Sequence, residues 1–370
     1  IALQYHADIK YHGAGPYLGG NTDTPNPTYW NHLDDILTEA ERHGLYVAIT
    51  IMWAEDYQPT LQGDGPKSYR LGKWMGERYR GRNNVLWIVS GEYDDTKGWS
   101  KEIYNSIARG LHDGHQNNHL MTIHPAKLSS SDHFHQEAWL DFNMIQSGHK
   151  ADREARGLPE NHTMIAKDYG LTPAKPIIDG ESTYEDIAEP GNLKGPRFTD
   201  AVVRQKAYWA VFAGAFGHTY GNENVEIMFQ TGDDELGFPH RPWQDALDDP
   251  GAWQMRHLRS LIESRSFLNR IPDQSMLVSA ASKGNDHVRA TRAADGNYAM
   301  VYLPTGDAVT IDLGIIAGAG VKASWFNPRT GVYTTIGQYP NTGRETFDAP
   351  GATGLGNDWV LVLDSIPRRL

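Results

Sequence analysis

A (β/α)8 barrel followed by a small antiparallel β-sandwich is the fold this sequence predicts, on three observations. Strand and helix patterns alternate from the first residue to about Gly221. Polar and aromatic residues follow nearly every strand, as on the carboxyl face of a barrel; an open doubly wound sheet gathers its ligand groups at one switch point instead. After Pro272 the pattern changes to short alternating runs broken by Gly, Asn and Pro. The expected division is a catalytic barrel over 1–270 and a β domain over 271–370.

Taken in order, Ile1–His6 reads as a strand and Gly13–Pro27 as a loop. Tyr29–His43 reads as a helix, with Leu33, Ile36, Leu37 and Ala40 on one face and Gly44 as its stop. Leu45–Trp53 is a near-continuous apolar run, as a strand buried on both faces requires. Helices over Lys67–Tyr79 and Trp99–Leu111 alternate with strands over Val85–Val89 and Leu120–Ile123. Phe142–Gln146 is a strand, His162–Tyr169 a short helix, and Ile177–Ile178 a short strand. A helix over Thr199–Phe212 and a strand over Ala215–Tyr220 complete seven visible strands. The chain opens inside a strand without an initiator Met, so an upstream segment carrying the first βα unit, and with it an export signal, is expected. The expected location is secreted or periplasmic. Gly221–Pro250 reads as loop and Ala252–Leu268 as the closing helix. The β domain is read from runs at Asp286–Thr291, Tyr298–Leu303, Ala308–Leu313, Val321–Phe326 and Trp359–Leu363.

The chain has 370 residues, enough for a barrel and a smaller domain. Its net charge of −12 argues against nucleic acid, whose phosphates demand Lys and Arg, and against anionic membranes. No run reaches the length needed to span a membrane. With no cysteine, disulfides, thiol catalysis and thiolate metal sites are excluded. Eleven Trp and eighteen Tyr fit a protein that stacks sugar rings, whose C–H faces are apolar.

Two glutamates carry the chemistry. Glu92 closes Val85-Leu86-Trp87-Ile88-Val89-Ser90-Gly91-Glu92, and Glu181 closes Pro176-Ile177-Ile178-Asp179-Gly180-Glu181. Polar residues at the carboxyl ends of barrel strands read as catalytic. The gap of 181 − 92 = 89 residues fits three βα units of roughly 30 each. Two carboxylates on one barrel face are what glycosidic cleavage needs, and their separation sets the outcome: about 5–5.5 Å for retention, roughly 6.5–9.5 Å for inversion. Alone, either glutamate also reads as an acid facing a helix dipole. Asp179 shares a strand face with Glu181, either tuning it or accepting structural hydrogen bonds.

Around this pair, His6, Asp8, His124, Gln146, His149 and His218 are candidate hydroxyl binders. Trp53, Tyr93, Trp139 and Tyr220 are candidate sugar platforms, whereas Trp87, at mid-strand, belongs to the core. His133-Phe134-His135 has a metal-ligand spacing but follows a Ser-rich loop instead of a strand, so no metal and no cofactor are expected. No phosphate-binding Gly loop is present. Trp325, Phe326 and Tyr333 in the β domain read as core.

The sequence resembles apiosidase-type glycoside hydrolases. The likeness is carried by Pro27-Thr28-Tyr29-Trp30-Asn31-His32-Leu33-Asp34, His43-Gly44-Leu45-Tyr46-Val47-Ala48, the two glutamate segments, and Trp325-Phe326-Asn327-Pro328-Arg329-Thr330-Gly331. The last resembles the β domain, labelled collagen-binding, that follows such barrels. The resemblance implies a retaining β-glycosidase with Glu92 as acid/base and Glu181 as nucleophile. It implies a polysaccharide or oligosaccharide substrate of plant or microbial origin. One departure stands out: these proteins often carry Gly-Gly-Asp where this chain has Ser90-Gly91-Glu92. The alternatives from other classes are a non-catalytic carbohydrate-binding protein and a metal-dependent hydrolase.

Overall fold

The structure is a computed structural model that describes residues 13–54, 61, 64–116, 119–233, 239–279 and 282–368. The expected strand Ile1–His6 and the candidates His6 and Asp8 lie outside them. Two compact units are present. One holds the chain up to Gln146 together with Thr172–Pro176; the other holds Ser147–Leu171 and Ile177 onward.

In the first unit, strands β1 (Val47–Thr50), β2 (Val85–Ile88) and β3 (Met121–Thr122) form a parallel sheet in that order. The regular ladders stop short of the expected strand ends, but single parallel bridges, Trp53 to Gly91 and Tyr93 to Pro125, carry the pairing onward. The helix Pro27–Arg42 starts where Asn26 accepts from the Thr28 amide at 3.2 Å, with Pro27 in the first turn. It buries Trp30, Leu33 and Leu37, while Ile36, expected on that face, is partly exposed. The helices Gly65–Tyr79 and Lys101–His115 pack unusually close. A Cβ on Gly72 or Gly110 would fall 2.1 Å from a backbone oxygen of the other helix, and one on Gly76 or Gly114 within 2.6 Å. Four glycines, paired at i and i+4, thus set this contact, which apolar periodicity does not reveal. Trp87 is fully buried, as expected. Strand β4 (Leu128–Ser129) pairs antiparallel with β5 (Asn143–Gln146). It lies in the Ser-rich loop and is too short to show as a pattern.

The second unit carries β6 (Ile177–Glu181), parallel to β7 (Gly217–His218) through Ile178 to Gly217 and Asp179 to His218. Strand β6 is longer than expected, so Glu181 is its last residue. The segment expected to be loop contains short helices at Glu223–Glu226 and Trp243–Ala246. Polar contacts hold it: the Arg241 guanidinium donates to Asp186 at 2.8 Å and also to Asp249, which accepts from Asn222 at 2.7 Å. The closing helix runs over Pro250–Glu263 and not to Leu268. The Ser264 hydroxyl donates to the Leu261 carbonyl at 2.6 Å and Arg265 turns to Asp364 at 2.6 and 2.8 Å, so local polar bonds replace the next helical turn.

The β domain contains a six-stranded antiparallel sheet and a two-stranded one. In chain order the strands are β8 (Arg270–Pro272), β9 (Arg289–Ala293), β10 (Tyr298–Leu303), β11 (Val309–Asp312), β12 (Gly320–Asn327), β13 (Val332–Tyr339), β14 (Arg344–Phe347) and β15 (Trp359–Ile366). The larger sheet runs β13-β12-β15-β10-β9-β8, and β11 pairs with β14. Sequence reading misses β8, β13 and β14; β13 is a largely exposed edge strand and lacks an apolar face. One face of the large sheet packs with β11 and β14 through Val301, Trp325, Leu361 and Phe347. Its other face packs on the Asp200–Phe212 and Pro250–Glu263 helices through Met300, Tyr302, Val360, Tyr208 and Leu261. Burial on both faces explains why Tyr298–Leu303 is apolar without alternation. Trp325 and Phe326 are core as expected, but Tyr333 is 44% exposed.

Candidate active site

Glu92 and Glu181 each sit just past or at the end of a parallel strand, one in each unit. Around Glu92 the chain is pinned on both sides. The Gly91 amide donates to Met52 at 2.9 Å, and the Tyr93 amide donates to His124 at 3.1 Å. Between these anchors Glu92 adopts φ 48°, a left-handed conformation costing a non-glycine residue about 1–2 kcal/mol. Such strain persists only where surrounding bonds over-determine it, and it clusters at functional sites.

Gly91 has its own reason to be glycine. A Cβ there would lie 2.1 Å from the Trp53 indole, so the ring rests directly on the backbone before Glu92. The His124 imidazole, almost fully buried, faces Trp53 at 6.1 Å between ring centroids. Trp53 keeps part of its surface exposed. Gly91→Ala is expected to displace the indole, at a cost of roughly 1–3 kcal/mol from overpacking. Trp emission and the thermal midpoint check this; an unshifted spectrum with wild-type stability would contradict the contact.

Tyr93 is a correction. It is 7% exposed and meets Tyr104 and Phe134 edge-on, each at 5.0 Å, so it packs in the core and is not offered as a platform. Trp139 is likewise core, with its indole N–H on Asn105 at 2.9 Å. Gln146 ends β5 and is 9% exposed. His133 and His135 do not converge: one ring packs on Tyr93, while the other contacts the Asn143 side chain at 3.3 Å. Among the described residues no three His, Asp or Glu side chains are placed to hold a metal ion.

Glu181 is held at backbone and side chain. Its carbonyl accepts from the amides of Ser147 at 2.8 Å and Gly148 at 3.0 Å. Its Oε1 lies 3.0 Å from Nε2 of His149, and both side chains are largely buried. The Tyr184 amide donates to His149 Nδ1 at 3.3 Å. An N–H can donate only to an unprotonated ring nitrogen, so the proton belongs on Nε2, which donates to Glu181. The Tyr184 ring packs on the imidazole at 4.4 Å. A Cβ on Gly221 would fall 2.1 Å from the Tyr184 ring, so a glycine seats this aromatic ring too.

Beneath Glu181, Asp179 is fully buried and accepts from Ser147 Oγ at 3.1 Å and Asn161 Nδ2 at 3.0 Å. Burial pushes its carboxyl up to about 6, against those two hydrogen bonds and the Lys206 charge. Lys206 is itself buried and paired with Glu160. Asp179 is thus the acceptor of a buried polar network.

His218 is a further correction. The His218 side chain is 3% exposed, 4.0 Å from Asp179, and neither ring nitrogen has a hydrogen-bond partner among the described residues. Burial pushes its pKa down to about 4, so it stays neutral inside the fold and does not face solvent as a hydroxyl binder. The Tyr220 hydroxyl donates to Glu185 at 2.7 Å, and Glu185 also accepts the Gly251 amide at the start of the closing helix. The Tyr220 ring still lines a cleft of about 280 Å³ with Tyr184, Val225 and Leu247.

Sequence reasoning missed Glu223, whose carboxyl is pushed up by burial, opposed by His149 and reinforced by the negative charge of Glu181. It stands five residues past β7, so the rule that selected Glu92 would have found it with a slightly wider window. Tyr184, Gly91 and Gly221 had no local signal.

The family model "Apiosidase-like, catalytic domain" matches residues 3–269, and "Putative collagen-binding domain of a collagenase" matches 271–364. A Bacteroides vulgatus ATCC 8482 crystal structure described as a glycoside hydrolase family 5 protein is 32% identical. The match covers 91% of this chain and 74% of that one, with TM-score 0.85. Another solved structure, described as a glycoside hydrolase, is 33% identical over 91% of this chain and 77% of its own, with TM-score 0.84. A GH30 endoxylanase from Clostridium papyrosolvens C71, 13% identical over 93% and 86% with TM-score 0.52, shares the fold alone. No curated protein matches. Matched over most of its length, the chain belongs to the apiosidase-like family and is a glycoside hydrolase.

Proposed function

We propose that this enzyme is a retaining glycosidase acting on plant or microbial polysaccharide, with an apiose-like terminal sugar as the favoured substrate class. The carrying observation is Glu181: it ends a parallel strand with its carbonyl held by two amides, and a tautomer-fixed imidazole donates to its carboxylate. A carboxylate held in one orientation by a hydrogen-bond donor is what a nucleophile requires. Glu181 attacks the anomeric carbon as the glycosidic C–O bond breaks, and Glu92 passes its proton to the leaving oxygen. In the second half Glu92, now ionised, takes a proton from water. The water oxygen bonds to the anomeric carbon, and the ester to Glu181 breaks. The left-handed backbone at Glu92 supports its role, since strain of this kind collects at working residues.

We further propose a (β/α)8 barrel for residues 1–270 and a separate β domain for 271–370. Parallel pairing of β1-β2-β3 and of β6-β7, with helices between strands, supports the barrel. A polymeric substrate supports action outside the cytoplasm. The test is proton NMR of the first anomer released from 4-nitrophenyl β-apioside: the β anomer is expected to appear before mutarotation. Initial release of the α anomer would replace double displacement by inversion.

A further inference from the structure

We infer that His149 is a positioning residue, set in the Nε2–H tautomer by the Tyr184 backbone so that it orients the Glu181 carboxylate; it does not bind substrate hydroxyls. The inference rests on the reading of Glu181 as nucleophile. Both ring nitrogens of His149 are engaged, Nε2 with Glu181 at 3.0 Å and Nδ1 with the Tyr184 amide at 3.3 Å. A side chain with both polar atoms committed has no free group for a sugar hydroxyl.

The seat of the imidazole is built outward in layers. The loop that carries His149 is tied to the end of β6 by the Ser147 and Gly148 amides. The Thr183 hydroxyl donates to the Gly148 carbonyl at 3.1 Å, closing the loop against the chain after Glu181. The Tyr184 ring covers the imidazole, and Gly221 leaves room for that ring. Among the described residues, Glu181 and Glu223 are charged groups that act on His149. Moving the proton to Nδ1 would set two N–H groups against each other at Tyr184 and leave Nε2 a lone pair facing the carboxylate. The surroundings therefore select one tautomer.

The direct test is long-range proton–nitrogen NMR of the whole chain, with His149→Gln used to assign the resonance. The expected spectrum shows a neutral Nε2–H imidazole whose Nε2 signal moves in Glu181→Gln. An Nδ1–H tautomer, or a signal indifferent to Glu181→Gln, would overturn the inference. Kinetics on 4-nitrophenyl β-apioside give a second reading. His149→Ala is expected to lower kcat about 100-fold with KM nearly unchanged, the scale of a misplaced reacting group. His149→Gln restores an N–H at nearly the same position and should recover most of that loss. A rise in KM alone would make His149 a substrate contact; a Gln variant as slow as the Ala variant would make it a proton carrier. Gly221→Ala, which places a Cβ against the Tyr184 ring, should lower kcat in the same direction, and an unchanged kcat counts against the layered seat. If Glu181→Gln keeps its turnover, the nucleophile assignment fails, while the spectrum still reports whether His149 holds that carboxylate.

Discussion

Glu181→Gln is expected to lower kcat by about 10⁴-fold or more, the range seen when an enzyme loses its nucleophile or the group acting directly with it. The substitution removes the charge proposed to attack the anomeric carbon but leaves the carbonyl that accepts from Ser147 and Gly148 in place. The thermal midpoint should therefore stay near wild type. Turnover of 4-nitrophenyl β-apioside together with a melting curve checks both halves. A variant within tenfold of wild type would remove Glu181 from the chemistry. Glu92→Gln should behave differently, because nitrophenolate departs with little protonic help whereas a sugar alkoxide does not. Loss should be much smaller on the aryl substrate than on an oligosaccharide.

Asp358→Ala is expected to produce the largest stability loss, about 3–5 kcal/mol. Arg204, 1% exposed, gives Asp358 two hydrogen bonds at 2.7 and 2.6 Å, and the Tyr302 hydroxyl adds a third at 3.2 Å. Arg204 also reaches Asp200 at 2.8 Å and Gln254 at 2.5 Å. This one guanidinium ties the Asp200–Phe212 helix to the closing helix and to the residue before β15. Removing Asp358 takes away the buried partner of Arg204 and leaves it only the partly exposed Asp200 carboxylate, which offsets less of its desolvation. Urea unfolding followed by far-ultraviolet circular dichroism measures the change. A loss under about 1 kcal/mol would mean that water reaches the guanidinium and replaces the carboxylate.

The fold was legible where local patterning and burial agree. The apolar runs before Glu92 and Glu181 are parallel strands in which fully buried residues alternate with partly covered ones. The helix Gly65–Tyr79 was legible as Lys67–Tyr79, but its close contact with Lys101–His115 depends on four glycines that periodicity does not weigh. Edge strand β13 was missed because solvent covers most of it and no alternation is imposed.

The candidate site divides in the same way. Placing an acid at a strand end is a local property, so composition and order along 85–92 and 176–181 were sufficient to select Glu92 and Glu181. What a side chain does there depends on partners far away in sequence. His149 finds Glu181 and Tyr184, 32 and 35 residues on, and becomes a donor instead of a hydroxyl binder. Tyr220 gives its hydroxyl to Glu185, 35 residues back, and His218 is enclosed beside Asp179. Sequence alone thus determined the family, the alternation of elements and the two strand-end glutamates, since each is written in contiguous residues. Only the tertiary structure decided which polar groups are free to work and which are already committed, because hydrogen bonding and burial are settled between segments that meet on folding.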